Sequence, residues 1–480
     1  MNFKSLVKIL SVVGMTLALI FASEIVVGLY YREPVGALIK YDVVLLAGNG
    51  LLYLLLRREP VKLGIRESIL FVNLLWFMLG AAGAVPFLLY TSVSPASAFF
   101  EAVSGFTTTG ATVFNDIEAL PKIILFHRSL THWLGGLGVV VLSVGLLSFI
   151  NPTGSLSLFK AESTGIQVEK LRPKIRETAL SLWGVYLALT VVDTLLLKLF
   201  GMGWFDAINH AFSTVSTGGF STKNASLGAF ESPWIIWVTT LFMLLSGINF
   251  LAHLKLFYKD FSGYKSEEVR WYLVLFALFG AGLTAVHMDI SGDGLFHAVT
   301  HAFFTIASVM TTTGFATIDY GGWSHLAIAL IFAAMLFGGN AGSTAGGVKV
   351  IRYVVIVKTL FMEFRRTLHP RAVLSVFVDG VKIDKAVLSS TFGFFTLFVF
   401  TVALTSGYIY ARGYDEMTAI SGALALVGNV GPGFSHVGPA DNFSFFSDMD
   451  KMVFSVAMMI GRLECYTVFI LLSPSFWKKF

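Results

Sequence analysis

Charge is the first thing this chain lacks. Asp, Glu, Lys and Arg make up 13% of its 480 residues, against 55% hydrophobic residues, and the mean hydropathy is +0.76. A soluble domain carries about 25% charged residues, and no water-soluble core hides this much apolar surface. A soluble globular fold is therefore excluded and a polytopic membrane protein is expected, with the lipid bilayer as its solvent. Cysteine is nearly absent as well. Cys465 stands alone, which excludes an internal disulfide framework and leaves the compartment to be read from topology. No stretch reads as a soluble catalytic domain, and the ten histidines supply no convergent set of metal ligands, so an enzyme is not expected.

The few charges are unevenly placed. Residues 152–177 carry Lys160, Lys170, Arg172, Lys174 and Arg176, and residues 361–385 carry Arg365, Arg366, Arg371, Lys382 and Lys385. By contrast, 284–325 hold Asp289, Asp293 and Asp319 without Lys or Arg, and 412–450 hold Asp415, Glu416, Asp441, Asp448 and Asp450 against Arg412 alone. The positive-inside rule puts the basic segments in the cytoplasm. Topology then explains them, and nucleic-acid binding is not expected. The acidic segments face outward, where they raise the local cation concentration within about 10 Å.

Apolar runs long enough to span a bilayer as helices lie near 7–29, 38–56, 67–91, 126–150, 178–200, 234–258, 270–288, 323–361, 386–411 and 451–473. They predict ten passes with both termini inside. The first run has Lys4 and Lys8 ahead of it and a possible cleavage site at Ala22-Ser23. Its apolar stretch continues past Glu24 to Tyr30, longer than a signal core, so a retained helix is expected. The last eight runs fall into four pairs. Between the members of each pair lies a short apolar segment, near 95–106, 204–214, 294–309 and 414–427, better read as a re-entrant helix than as a span.

Each short segment ends in a variation on one turn: Thr108-Thr109-Gly110-Ala111, Ser216-Thr217-Gly218-Gly219, Thr312-Thr313-Gly314-Phe315 and Asn429-Val430-Gly431-Pro432. The glycines at 110, 218, 314 and 431 are 108, 96 and 117 residues apart. A cation crossing a bilayer must exchange its water for something, and rings of backbone carbonyls supply it without a full negative charge. Glycine tolerates the backbone geometry that aims successive carbonyls at one axis. Gly110, Gly218, Gly314 and Gly431 are thus expected as a central ring, with Thr109, Thr217, Thr313 and Val430 one level away and Thr108, Ser216, Thr312 and Asn429 further in. Dehydrated K⁺ suits such a ring, whereas Na⁺ and Ca²⁺ sites more often recruit carboxylates, and none occurs in these turns.

The eighth run is too long for one helix and reads Gly338-Gly339-Asn340-Ala341-Gly342-Ser343-Thr344-Ala345-Gly346-Gly347 in its middle. So many glycines break a helix, which predicts two half-helices joined by an intramembrane loop, a movable plug below the turns. A phosphate-binding loop is not expected, because Lys349 is displaced from the required position and no Ser or Thr follows it. Arg462 lies inside the last span, where an arginine is costly and faces a cavity or a partner. Glu464 is two residues away and so on a different helix face. Arg462 is expected to face the ion path as an electrostatic gate. His297 and His301 have a metal-compatible spacing but read as structural or vestibule histidines, and structural roles are expected for Asp42 and Asp193 ahead of proton relay.

With these pieces in place, the chain resembles the Trk/Ktr/HKT superfamily of K⁺ transporters, most closely its bacterial TrkH/TrkG branch. The resemblance rests on Thr107–Thr112, His132–Gly138, Ser216–Thr222, Thr311–Ala316, Gly342–Lys349, Gly428–Gly433 and Gly461–Glu464, and it covers essentially the whole chain. It implies an all-α membrane protein of four M1–pore helix–M2 repeats in pseudo-fourfold arrangement around one pore, plus two extra N-terminal transmembrane helices. The corresponding divisions are 1–62, 63–152, 153–262, 263–372 and 373–480. It also implies K⁺ uptake across the bacterial cytoplasmic (inner) membrane, a homodimer, no covalently bound cofactor, and a cytoplasmic regulatory ring of the TrkA type that binds NAD or ATP. Symport coupled to H⁺ or Na⁺ on the same fold is the alternative to passive permeation.

Overall fold

The structure, a computed structural model, describes residues 2–61, 63–150, 175–291 and 294–478. Most of the basic segment 152–177 and Asp293 lie outside the described residues. The chain opens with α1 (Phe3–Tyr31) and α2 (Gly36–Leu55). Asn2 starts α1 by accepting from the Ser5 amide, and Pro34 lies just beyond its end. The whole apolar run that resembled a signal core is thus one helix.

A pattern of long helix, short helix, turn and further helix then recurs. It comprises α3 (Ile65–Tyr90), α4 (Pro95–Phe106) and α5 (Lys122–Ile150), followed by α6 (Ile175–Leu199), α7 (Trp204–Val215), α8 (Pro233–Ser246) and α9 (Phe250–Phe257). Next come α10 (Glu267–Ser291), α11 (Leu295–Met310), α12 (His325–Met335) and α13 (Val350–Leu368). After a two-stranded hairpin, β1 (Phe377–Val378) and β2 (Val381–Lys382), the last set is α14 (Lys385–Ala411), α15 (Glu416–Val427), α16 (Asp448–Arg462), α17 (Tyr466–Phe469) and α18 (Pro474–Trp477). The short helices fall where the sequence placed them, each within two residues. Ser94 and Asp415 explain two of the starts, because their side chains accept amides of the first turns of α4 and α15.

Among the described residues, six helices are long and apolar enough to cross a membrane, and two bent pairs raise this to eight. The expected passes at 126–150 and 323–361 correspond to α5 and to the broken pair α12/α13. Two passes expected to be continuous are not. The run 234–258 bends by 96° between α8 and α9, and the run 451–473 bends by 112° between α16 and α17. Asn249 makes the first break by capping α9 through the Leu251 amide. At the second, Glu464 and Cys465 both take positive φ, 60° and 51°, which α-helix geometry does not allow. Neither break carries a glycine run, so hydropathy alone passes over both.

Apolar side chains cover the outside as well as fill the core. Only 11% of the apolar window of α2 is buried, and Val43, Val44, Leu51, Leu54 and Leu55 are exposed, as a lipid-facing helix requires. The short helices sit at the centre instead. Ala98, Phe100, Ala102, Ala207, Ala211, Phe304, Ile306, Ala423 and Leu426 are fully buried. The hairpin turn Asp379-Gly380 has φ 49° and 77°, the conformation that Asp-Gly favours. It is pinned to α10 by reciprocal bonds: the Glu267 amide donates to Asp379, and the Asp379 amide donates to Glu267.

Candidate functional site

The four turns are built alike. Each short helix ends at Thr107, Ser216, Thr311 or Gly428, and the next residue takes left-handed backbone: Thr108 (φ 52°), Thr217 (55°), Thr312 (57°) and Asn429 (54°). The following amide reaches back five residues, from Thr109 to the Ser104 carbonyl (2.9 Å), Gly218 to Ser213 (2.8 Å), Thr313 to Ser308 (2.8 Å) and Val430 to Ala425 (2.8 Å). This is the Schellman termination, which normally recruits glycine at the left-handed position. Three β-branched threonines held there store strain, on the order of 1 kcal/mol each.

One residue further on, Gly110, Gly219, Gly314 and Gly431 have φ of 83°, 88°, 81° and 98°. They also join the turns to one another. A Cβ on Gly110 would meet the Gly218 carbonyl oxygen, on Gly219 that of Thr313, on Gly314 that of Val430, and on Gly431 that of Thr109. The cycle runs from first turn to second, third, fourth and back, always from a glycine to the carbonyl just before the next glycine. Side chains reinforce it. The Asn429 amide donates to Thr109 Oγ1 (2.9 Å), and Thr107/Thr109 and Thr311/Thr313 make matching hydroxyl pairs at 2.7 Å.

This cycle corrects the register read from sequence. The residue equivalent to Gly110 is Gly219, not Gly218. Gly218 is buried and stands where Thr109, Thr313 and Val430 stand, and Thr217 matches Thr108. Ser216 belongs to the helix end, where its hydroxyl donates to the Phe212 carbonyl (2.7 Å). Phe220 takes the place matching Ala111, Phe315 and Pro432. The doublet Gly218-Gly219 made the Thr-Gly match ambiguous, and counting from the helix ends resolves it.

The glycine-rich segment lies directly against the turns. Its neck closes on itself, Gly338 amide to Val348 carbonyl (2.9 Å) and Val350 amide to Gly339 carbonyl (3.2 Å). The Gly346 amide donates to Thr312 Oγ1 (2.6 Å), and a Cβ on Gly346 would meet the Gly428 carbonyl. Thr344 Oγ1 lies 3.1 Å from the Val215 carbonyl oxygen and 3.2 Å from that of Ser246. Ser343 and Ala345 are buried, Gly342 has φ 74°, Gly347 has φ 65°, and Asn340 is fully buried. Sequence reasoning missed the carboxylate that holds this loop. Buried Glu268, at the start of α10, accepts from the amides of both Ala341 (2.8 Å) and Ile351 (3.1 Å).

Arg462 is buried and donates to the Thr344 carbonyl (2.9 Å), so the two expected gate elements touch. Glu464 pairs with Arg352 (2.7 Å), whose guanidinium also lies 3.6 Å above the Phe394 ring. The rings of His297 and His301 are 4.2 Å apart, and His301 bonds Thr317 (2.8 Å). No group of three or more His, Cys, Asp or Glu able to hold a metal occurs among the described residues. Asp42 and Asp193 are buried, away from the turns in sequence.

Comparison with known proteins matches the whole chain to a known family. Residues 38–479 fit the TrkH family model, described as a cation transport protein. The chain is 37% identical to the Trk system potassium uptake protein TrkH of Salmonella typhimurium, with 100% of both chains covered. It is 34% identical to TrkG of Escherichia coli, covering 95% of this chain and 94% of that one. The crystal structure of the potassium transporter TrkH from Vibrio parahaemolyticus superposes with a TM-score of 0.90 at 34% identity, covering 100% of each chain. The chain belongs to the TrkH family of membrane cation transport proteins.

Proposed function

We infer that this protein takes up K⁺ across the bacterial cytoplasmic membrane through a selective, gated pore at the centre of the four turns. The observation that carries this reading is the closed cycle of turns, each at the C-terminal end of a buried short helix. Four helix C-termini direct the negative ends of their dipoles at one place, which favours a cation. The carbonyls of Thr109, Gly218, Thr313 and Val430, beside glycines in left-handed backbone, are the groups that replace the ion's water. The architecture read this way is four M1–pore helix–M2 repeats in pseudo-fourfold arrangement, 63–152, 153–262, 263–372 and 373–480, behind the two-helix extension 1–62. The relatives are transporters rather than enzymes, and their names specify potassium uptake.

The glycine-rich loop and Arg462 form the gate below the turns. The loop bonds Thr312 from beneath, and Arg462 places a positive charge beside the same path. The relatives are named as parts of a Trk system, which supports a partner. The basic cytoplasmic segment 361–385 is a surface for a nucleotide-binding (NAD or ATP) regulatory ring, and the protein works as a homodimer. The mass of the purified protein in detergent is expected to be twice 52.4 kDa.

The function is tested by ⁸⁶Rb⁺ uptake into proteoliposomes holding the purified chain. Uptake that K⁺ competes away and Na⁺ does not supports the pore, and uptake that persists without Na⁺ or pH gradients makes it passive. Uptake that requires one of those gradients would mark a coupled symporter instead. A series of Gly→Pro substitutions and short deletions within 338–347 tests the loop. Flux as tightly closed in every variant as in the wild type rules out its gating role.

A further inference from the structure

Behind the first two turns lies a buried ion pair that neither the filter nor the gate uses. Glu101, in α4, stands seven residues before Thr108 and is fully buried. Its Oε1 accepts from Arg128 Nε (2.8 Å) and Thr112 Oγ1 (2.9 Å), and its Oε2 accepts from the Val113 amide (2.9 Å). Arg128, on α5, is 1% exposed. Its Nη1 donates to the Ser221 carbonyl (3.0 Å) and its Nη2 to Thr112 Oγ1 (3.2 Å), while its guanidinium lies 4.0 Å above the Phe220 ring. One helical turn along α5, His132 stacks on the same ring at 4.0 Å and donates from Nδ1 to the Gly105 carbonyl (2.7 Å).

Thr112 and Ser221 occupy equivalent places, each two residues past its ring glycine. Arg128 therefore ties the limb leaving the first turn to the limb leaving the second. His210 stands seven residues before Thr217, the place of Glu101 in the first repeat, and bonds the Ser221 hydroxyl (2.9 Å). The third and fourth repeats put Thr305 and Gly422 at the Glu101 place, and Ala316 and Gly433 at the Thr112 place. Those residues cannot build the same link. The brace thus spans one quarter of the cycle and breaks its fourfold likeness.

We propose that Glu101 and Arg128 are specificity-determining positioning residues, which fix the first two turns at the spacing that suits K⁺ and so exclude smaller Na⁺. This rests on the K⁺-pore reading above. A carbonyl ring discriminates against a smaller ion only if it resists closing around it. Charge-assisted bonds through a planar guanidinium, shielded from water, are the stiffest polar link available for that. The pair is neutral overall, so its effect comes through geometry and not through added charge.

The test replaces both members at once, Glu101→Gln with Arg128→Met, because removing one alone strands a buried charge. Met keeps much of the volume but cannot bond Ser221. Purified full-length protein in proteoliposomes is assayed for ⁸⁶Rb⁺ uptake against rising Na⁺ or K⁺. In the double variant, the preference for K⁺ over Na⁺ as competitor is expected to fall by about tenfold, roughly 1.4 kcal/mol of discrimination, with Rb⁺ flux retained. Wild-type preference in a folded double variant overturns the proposal and leaves the pair as packing alone. If the double variant does not fold, Arg128→Lys decides. An ammonium cannot reach Glu101, Thr112 and Ser221 together, so preference should fall there too, and unchanged preference likewise overturns the proposal. A wild-type protein without Rb⁺ uptake, or with no preference over Na⁺, defeats the K⁺-pore reading instead.

Discussion

Thr108, Thr217 and Thr312 occupy a backbone conformation that glycine would hold without strain, and the glycines two residues later occupy one that other residues hold poorly. Residue identity at this scale is tuned to the turn. Gly219→Ala forces a Cβ toward the Thr313 carbonyl in left-handed backbone, a strain of about 1–2 kcal/mol before any overlap. Rb⁺ uptake should fall at least about tenfold or lose its K⁺ preference to that extent. Full wild-type behaviour would return the register to the one read from the Thr-Gly pairs. Arg462→Ala removes the bond to Thr344 and, on the proposed gate, a positive charge beside the ion path. Basal cation flux in vesicles should rise, and unchanged or lower flux from folded protein would count against the gate. The turns and Arg462 were legible in the sequence because their chemistry is local: hydroxyls, glycines, and one arginine in an apolar run. Glu101, Arg128 and Glu268 were not, because their partners lie 27, 93 and up to 83 residues away.

At the scale of elements, one carboxylate ties the interior of the glycine-rich loop to the first turn of α13. Glu268→Ala frees the amides of Ala341 and Ile351 together, and the loop should open more often. The expected readout is a rise in Rb⁺ flux of up to about thirtyfold, from about 1 kcal/mol for each of the two bonds lost. Glu268→Gln should raise it less, since an amide oxygen still accepts. Equal flux in wild type and Glu268→Ala would show that the loop is positioned by its own neck. The break between α12 and α13 was legible because glycine density announces it. The breaks after α8 and α16 were not. Asn249 caps the first, and the positive φ of Glu464 and Cys465 makes the second, devices that leave hydropathy untouched.

Over the whole molecule, charge asymmetry predicts that the turns open outward and both termini lie inside. Cys465 is the only cysteine and is buried, so Cys465→Ser gives a background for labelling. Cysteine placed at exposed Asn115 or Asp441 should react with an impermeant maleimide on intact cells. Cysteine at Arg366 or Lys382 should react only after permeabilisation. The opposite pattern would invert the topology.

Composition and hydropathy alone settled that this is a helical membrane protein, and four recurring turns marked where the pore is proposed. Those signals survive in one dimension because lipid demands long apolar runs and because a helix ending followed by glycine is a local event. Only the tertiary structure decided which glycines face which carbonyls, what holds the loop, and where the buried charges find partners. These are contacts between distant segments, and nothing in the spacing along the chain fixes them.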